Sequence, residues 1–233
     1  MKEKQENPFL SLVLNIVIPS LVLMKLSGDD HLGPQMGLVV ALAFPIVYGI
    51  WDLAQRGKVN FISVLGVISI LLTGGIGLLK LDPHWIAVKE AAVPGMIGLA
   101  VLISLKTRYP LVKTFLLNEK IINLALVNQR LQERKNVQSF EDLLTRSSYL
   151  LAFSFFLSAA LNYILAKIVL TSAPGTEAFN EELGKMTALS YPVIVIPSMI
   201  VMMLALWLLI RGIKSLTGLK LDDVLTVQEK AKG

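Results

Sequence analysis

A few polar side chains stand inside or at the ends of long apolar runs, and theirs are the residue types that could do chemistry. Asp52 ends one run with Arg56 four residues on, an acid-before-base pair at helical spacing. It reads either as an interfacial ion pair or as a cytoplasmic-side proton or cation site facing a cavity. Lys89 and Glu90 stand about one turn into another run and are followed by Pro94-Gly95. A proline there frees the carbonyl one turn back and bends the helix, which can open a polar pocket. Lys89 can snorkel outward on its long stem, whereas Glu90 has a shorter reach. Asn15, with Pro19 in the same run, and Asn162 are amides of the kind that bond neighbouring helices. Lys167 has no acid at i−4 or i+4, where Tyr163 and Thr171 stand. It either snorkels to the outer head groups or pairs with Glu90 of another helix. Charged and amide groups within membrane spans are functional suspects, so these six residues form the candidate intramembrane or transport site.

Covalent and metal chemistry have little to work with. The chain has no cysteine and only two histidines, His31 and His84. It carries no HExxH, GxxxxGK[ST] or GxSxG stretch. The expectation is therefore a protein with no catalytic residues, no metal and no cofactor.

The elements that must position the polar residues follow from composition. Of 233 residues 54% are hydrophobic and 17% charged, with a mean hydropathy of +0.65. Soluble domains carry roughly 25% charged residues. Six windows of 15 to 25 residues contain no charge at all, from Asn7–Met24 to Met186–Ile210. A bilayer core ~30 Å thick needs ~20 apolar residues per helical span. Backbone polar groups in hydrocarbon must be bonded internally, and the runs are apolar on every face, which favours helices over a barrel. The reading is all-α: a single integral membrane domain over 1–233. Its six transmembrane helices lie near 8–26, 34–53, 59–79, 85–105, 147–170 and 187–210. No small-residue cleavage site precedes Lys25, so the first span reads as a retained signal anchor. A secreted enzyme and a nucleic-acid-binding domain are excluded.

Lys and Arg set the orientation. With the N-terminus cytoplasmic, the inner positions hold 17 basic residues against 10 acidic, a balance of +7, and the outer positions 5 against 7, a balance of −2. Both termini are then cytoplasmic. The outer loops are short apart from Thr171–Lys185. The one long connection, Lys106–Arg146, breaks from span 4 at Tyr109-Pro110. Leu117, Ile121, Leu124 and Leu131 then recur at helical spacing, predicting an amphipathic helix over 107–136 on the cytoplasmic leaflet or packed under the bundle. Each basic residue near anionic lipid contributes on the order of 1 kcal/mol there, so anionic lipid is an expected partner. Ser63, Gly66, Ser69, Thr73 and Gly74 put a small-residue stripe on span 3, which predicts close helix contact. Pro45, Pro192 and Pro197 are expected to kink spans 2 and 6.

Gly74-Gly75, the following span through to LVKTFL, and then Phe155-Phe156 with Ala160-Leu161-Asn162-Tyr163 carry a family likeness. In these motifs, and in their order over about 40–212, the chain resembles the intracellular septation protein A family of small bacterial inner-membrane proteins. It is longer than those proteins and has an extended 106–146 segment. The resemblance implies a role in cell-envelope maintenance or division at the bacterial inner membrane, and supplies no catalytic residues. Two function classes follow. One is a non-enzymatic envelope protein acting through helix and lipid contacts, with a homo-oligomer or an envelope protein as partner. The other is a small secondary transporter of a solute or lipid, with proton coupling as an option, motivated by Asp52, Glu90, the proline kinks and the six-span layout. A polar-lined cavity reaching the midplane would mark transport; an apolar bundle interior would mark the structural role.

Overall fold

Charge-free runs become helices because a helix satisfies every backbone group within its own segment. A computed structural model describes residues 11–56, 61–107, 111–117 and 122–224, with side chains over 11–51, 68–107, 111–113, 117 and 122–224. A π-helical turn, Val13–Val17, continues as α1 (Ile18–Lys25). It is followed by α2 (Gly33–Arg56), α3 (Phe61–Leu78) and α4 (His84–Ser104). Two short helices, α5 (Leu111–Leu116) and α6 (Leu124–Glu133), precede the long α7 (Val137–Val169). α8 (Glu177–Ser190) runs through a second π-helical turn, Tyr191–Val195, into α9 (Ile196–Thr217), and α10 (Leu221–Val224) follows. The described residues contain no strand.

Four helical stretches are long and apolar enough to cross a membrane: Gly33–Trp51, His84–Ser104, Val137–Val169 and Glu177–Thr217. The expected first and third spans fall on shorter apolar stretches, Val13–Lys25 and Ile68–Leu78 of the described residues. Large apolar side chains on these helices face outward, with Val47, Leu71, Ile103, Ile168 and Ile200 each more than half exposed. Such surface is costly in water and costless in hydrocarbon, which makes this a membrane protein. Both π-helical turns lie beside proline, the first ahead of Pro19 and the second enclosing Pro192 ahead of Pro197. Proline removes an N–H and crowds the carbonyl four residues back, and a π turn relieves both.

The chain forms two compact units, Met1–Ala92 with Ala160–Val195 and Val93–Ala159 with Ile196–Gly233. In the first, α1 packs on α8 and α2, and α2 on α3. Its core includes Leu23, Leu38, Ile86, Phe179 and Leu183. Gly184 allows the approach of α1 to α8, since a Cβ there would stand 2.9 Å from the Ser20 carbonyl oxygen. The expected small-residue contact is present at Gly74, where a Cβ would meet Leu42 at 2.8 Å; Ser63 and Gly66 lie outside the described side chains.

The second unit explains the long connection. No continuous interfacial helix spans 107–136; α5 and α6 are separate, and Val112, Leu117, Ile122, Val127 and Leu131 are buried in one cluster with Phe140, Leu144, Ile213 and Val224. The Asn123 side chain caps α6 by accepting from Leu126 N at 3.2 Å, while the Asn123 N–H donates to the Val224 carbonyl at 2.9 Å. Asn136 Nδ2 donates to the Leu216 carbonyl at 2.8 Å, tying the end of this segment to the end of α9. These five apolar side chains therefore pack on protein. The break at Tyr109-Pro110 and Ile121 lie outside the described residues.

Candidate functional site

The site is built from the turn that starts α4. Lys80 takes a left-handed conformation (φ 54°) and lets Leu81 N–H close on the Ile76 carbonyl at 2.9 Å, which ends α3. Asp82 Oδ1 then accepts from His84 N at 2.7 Å, and Pro83 supplies the preset φ of a first helical turn. This places Lys89 five residues past His84, about 8 Å along α4.

From there the Lys89 ammonium reaches α3. It donates to Thr73 Oγ1 at 2.7 Å, Ser69 Oγ at 3.0 Å and the Ser69 carbonyl at 3.3 Å, and to Glu90 Oε1 at 2.7 Å. Ser69 and Thr73 share one face of α3 because they are four residues apart. Thr73 Oγ1 in turn donates to the Ser69 carbonyl at 3.1 Å. An ammonium has three protons, and four acceptors surround this one, so its bonding capacity is filled by protein. The Lys89 side chain is 8% exposed and Glu90 30%, making the carboxylate the open member of a neutral pair. Pro94 has no N–H for the Glu90 carbonyl, so that acceptor loses its helical partner at the same point. The arrangement ties α3 to α4 and neutralises two charges within apolar surroundings.

The other candidates are elsewhere. Lys167 is exposed near the end of α7, and Glu90 is bonded to Lys89, so the expected alternative of a Glu90–Lys167 pair gives way to an outward-facing lysine. The physical reason is proximity, since the adjacent ammonium already satisfies the Glu90 carboxylate. Asn15 donates to Ser11 Oγ one turn back, at 3.1 Å. Asn162 is half-buried on α7, beside Tyr163, whose ring meets His84 edge-on at 6.1 Å. The side chains of Asp52 and Arg56 lie outside the described residues.

Some polar ties were hidden from the sequence. Ser69 and Thr73 read as a packing stripe, yet their hydroxyls hold the lysine. The segment Thr171–Lys185, expected as an outer loop, is helical from Glu177, with Thr176 Oγ1 accepting from Phe179 N at 3.2 Å as its cap. Phe179, Leu183 and Met186 recur at helical spacing after that threonine, a signal that would have found the helix. Asn180 on α8 is fully buried and donates to the Pro34 carbonyl at 2.6 Å and Ser27 Oγ at 3.1 Å. Glu182 accepts from the backbone N–H groups of Thr171 and Ser172, both at 2.9 Å, and from their hydroxyls, both at 2.8 Å.

An apolar groove of about 550 Å³ lies in the same unit, lined by Leu14, Phe44, Val47, Tyr48 and Trp51 among others. Its walls suit hydrocarbon rather than a polar solute. The chain matches no family model, no curated protein and no solved structure.

Proposed function

We propose that the protein is a non-enzymatic, multi-pass protein of the bacterial inner membrane with a role in envelope maintenance or division, acting through helix and lipid contacts. The observation that carries this reading is the closed coordination of Lys89: its protons are taken up by Ser69, Thr73 and Glu90. A charge engaged in this way serves as a tie between helices. The motif likeness to the septation protein A family supports the envelope role. In this reading six helices span the bilayer, with the shorter stretches Val13–Lys25 and Ile68–Leu78 completing the set. Both termini are cytoplasmic, as the basic excess of the inner positions favours. Reporter fusions at Gly233 and near Thr176 test the topology, and a periplasmic signal at Gly233 would overturn it. Envelope permeability and cell length in a depletion strain test the role. Rescue of both by a Lys89→Met/Glu90→Gln variant is expected, because a structural tie is dispensable where stability suffices.

A specific observation favours transport as the second reading. Two π-helical turns, Val13–Val17 and Tyr191–Val195, lie within helices of one unit, and such turns recur at functional sites. Proteoliposomes carrying a pH-sensitive dye distinguish the two. Proton flux abolished by Glu90→Gln would replace the structural reading by the transport one.

A further inference from the structure

Large apolar side chains at Ile196, Ile200, Met203, Leu204 and Trp207 of α9 all stand exposed. Their spacing of three and four residues puts them on one face. The stripe runs for about 17 Å, close to the ~15 Å of one hydrocarbon leaflet. One turn beyond Trp207 its chemistry changes, because the Arg211 guanidinium lies 5.2 Å from the indole centroid. Lys214 follows on the next turn and is exposed. The ring holds the guanidinium through its face, which leaves the N–H edges free to donate. Among the described residues no carboxylate is ion-paired with Arg211.

A face that is apolar for one leaflet and cationic at its end complements an amphiphile with a long apolar part and an anionic head. A helix from a second copy would match the apolar stripe but leave the two cations without counter-charges. We propose that α9 is a docking site for one anionic phospholipid, its acyl chains along Ile196–Trp207 and its phosphate on the Arg211 fork beside Lys214. This rests on the reading that the protein acts through lipid contacts, and names the lipid class and the place.

The test uses the full-length protein in nanodiscs of equal phosphatidylglycerol and phosphatidylcholine, extracted into mild detergent and analysed by native mass spectrometry. Phosphatidylglycerol is expected to be retained about tenfold over phosphatidylcholine, with the excess lost in Arg211→Gln/Lys214→Gln. Trp207→Leu, which keeps the apolar stripe and frees the guanidinium, is expected to lose part of it. These side chains are exposed, so the thermal midpoint of each variant should match the parent. An excess that survives the double substitution overturns the site and leaves the lipid-contact reading standing. Absence of any preference overturns both. A dimer that Trp207→Ser dissociates would assign the stripe to a second copy and overturn the proposal.

Discussion

The Lys89 ammonium donates to the Thr73 hydroxyl at 2.7 Å across sixteen residues of chain, so a side chain on α4 is held by α3. The neighbouring Glu90 neutralises it at the same distance. The two members of the pair differ in exposure, and that difference decides what each substitution does.

Glu90→Gln leaves an ammonium in a site 8% exposed, and is expected to lower stability by about 3 kcal/mol. Lys89→Met leaves a carboxylate that is 30% exposed rather than enclosed and removes bonds to two hydroxyls, costing about 1–2 kcal/mol. The double variant should cost less than the sum. Thermal unfolding in detergent measures all three, and additive shifts would show that the pair is not coupled.

Lys167→Gln is expected to change stability by less than about 0.5 kcal/mol, because the side chain is exposed. Combined with Glu90→Gln it should add without interaction. A coupling above about 1 kcal/mol in that cycle would place Lys167 beside Glu90 after all.

Gly184→Ala puts a methyl group 2.9 Å from the Ser20 carbonyl oxygen and 2.7 Å from Met24 Cγ. Backbone cannot retreat as a flexible side chain can, so a loss of about 2 kcal/mol is expected. Gly95→Ala is the control, since its Cβ would meet only Ala159 Cβ, at 3.8 Å. That substitution should be neutral or stabilising by about 0.5 kcal/mol. Equal effects at the two glycines would argue against the close approach of α1 to α8.

Leu131→Ala removes a side chain buried between α6 and its neighbours and is expected to cost about 2–4 kcal/mol. The loss should appear as faster tryptic cleavage at Arg130, Arg134 and Lys135. If α6 instead floated on the leaflet, the substitution would leave cleavage unchanged in detergent.

Glu133 offers a pH dependence outside the spans. A hydrogen bond from Gln129 Nε2 at 2.9 Å, and a second from Arg130 at 2.9 Å, hold its carboxyl below the ordinary carboxylate value. A depressed folded value means that the contribution is present at neutral pH and lost as pH falls through that value. The protection factors of the last turn of α6, which divide out the intrinsic pH dependence of amide exchange, should fall as pH drops below the ordinary carboxylate range, and Glu133→Gln should remove that fall. An identical profile in the variant would assign the effect to another group.

Helices and apolar runs were legible in the sequence because they depend on local composition. Gly33–Arg56 and His84–Ser104 lie close to the expected spans 34–53 and 85–105, whereas Val137–Val169 begins ten residues ahead of the expected span 147–170, inside the expected long connection. The suspicion attached to Lys89 and Glu90 was likewise local, as any charge inside a membrane span is costly. What those side chains bond was settled only by tertiary structure. Ser69 and Thr73 carry the same signal whether they line a packing face or hold an ammonium, and only the approach of α3 to α4 distinguishes the two. Lys167 and Glu90 have similar depth along their own helices, and depth alone says nothing of which neighbour a carboxylate meets. The connection over 107–136 shows the same limit, since an amphipathic stripe specifies a buried face but not its cover. Here Phe140, Leu144, Ile213 and Val224, from helices distant in sequence, supply that cover for the described residues.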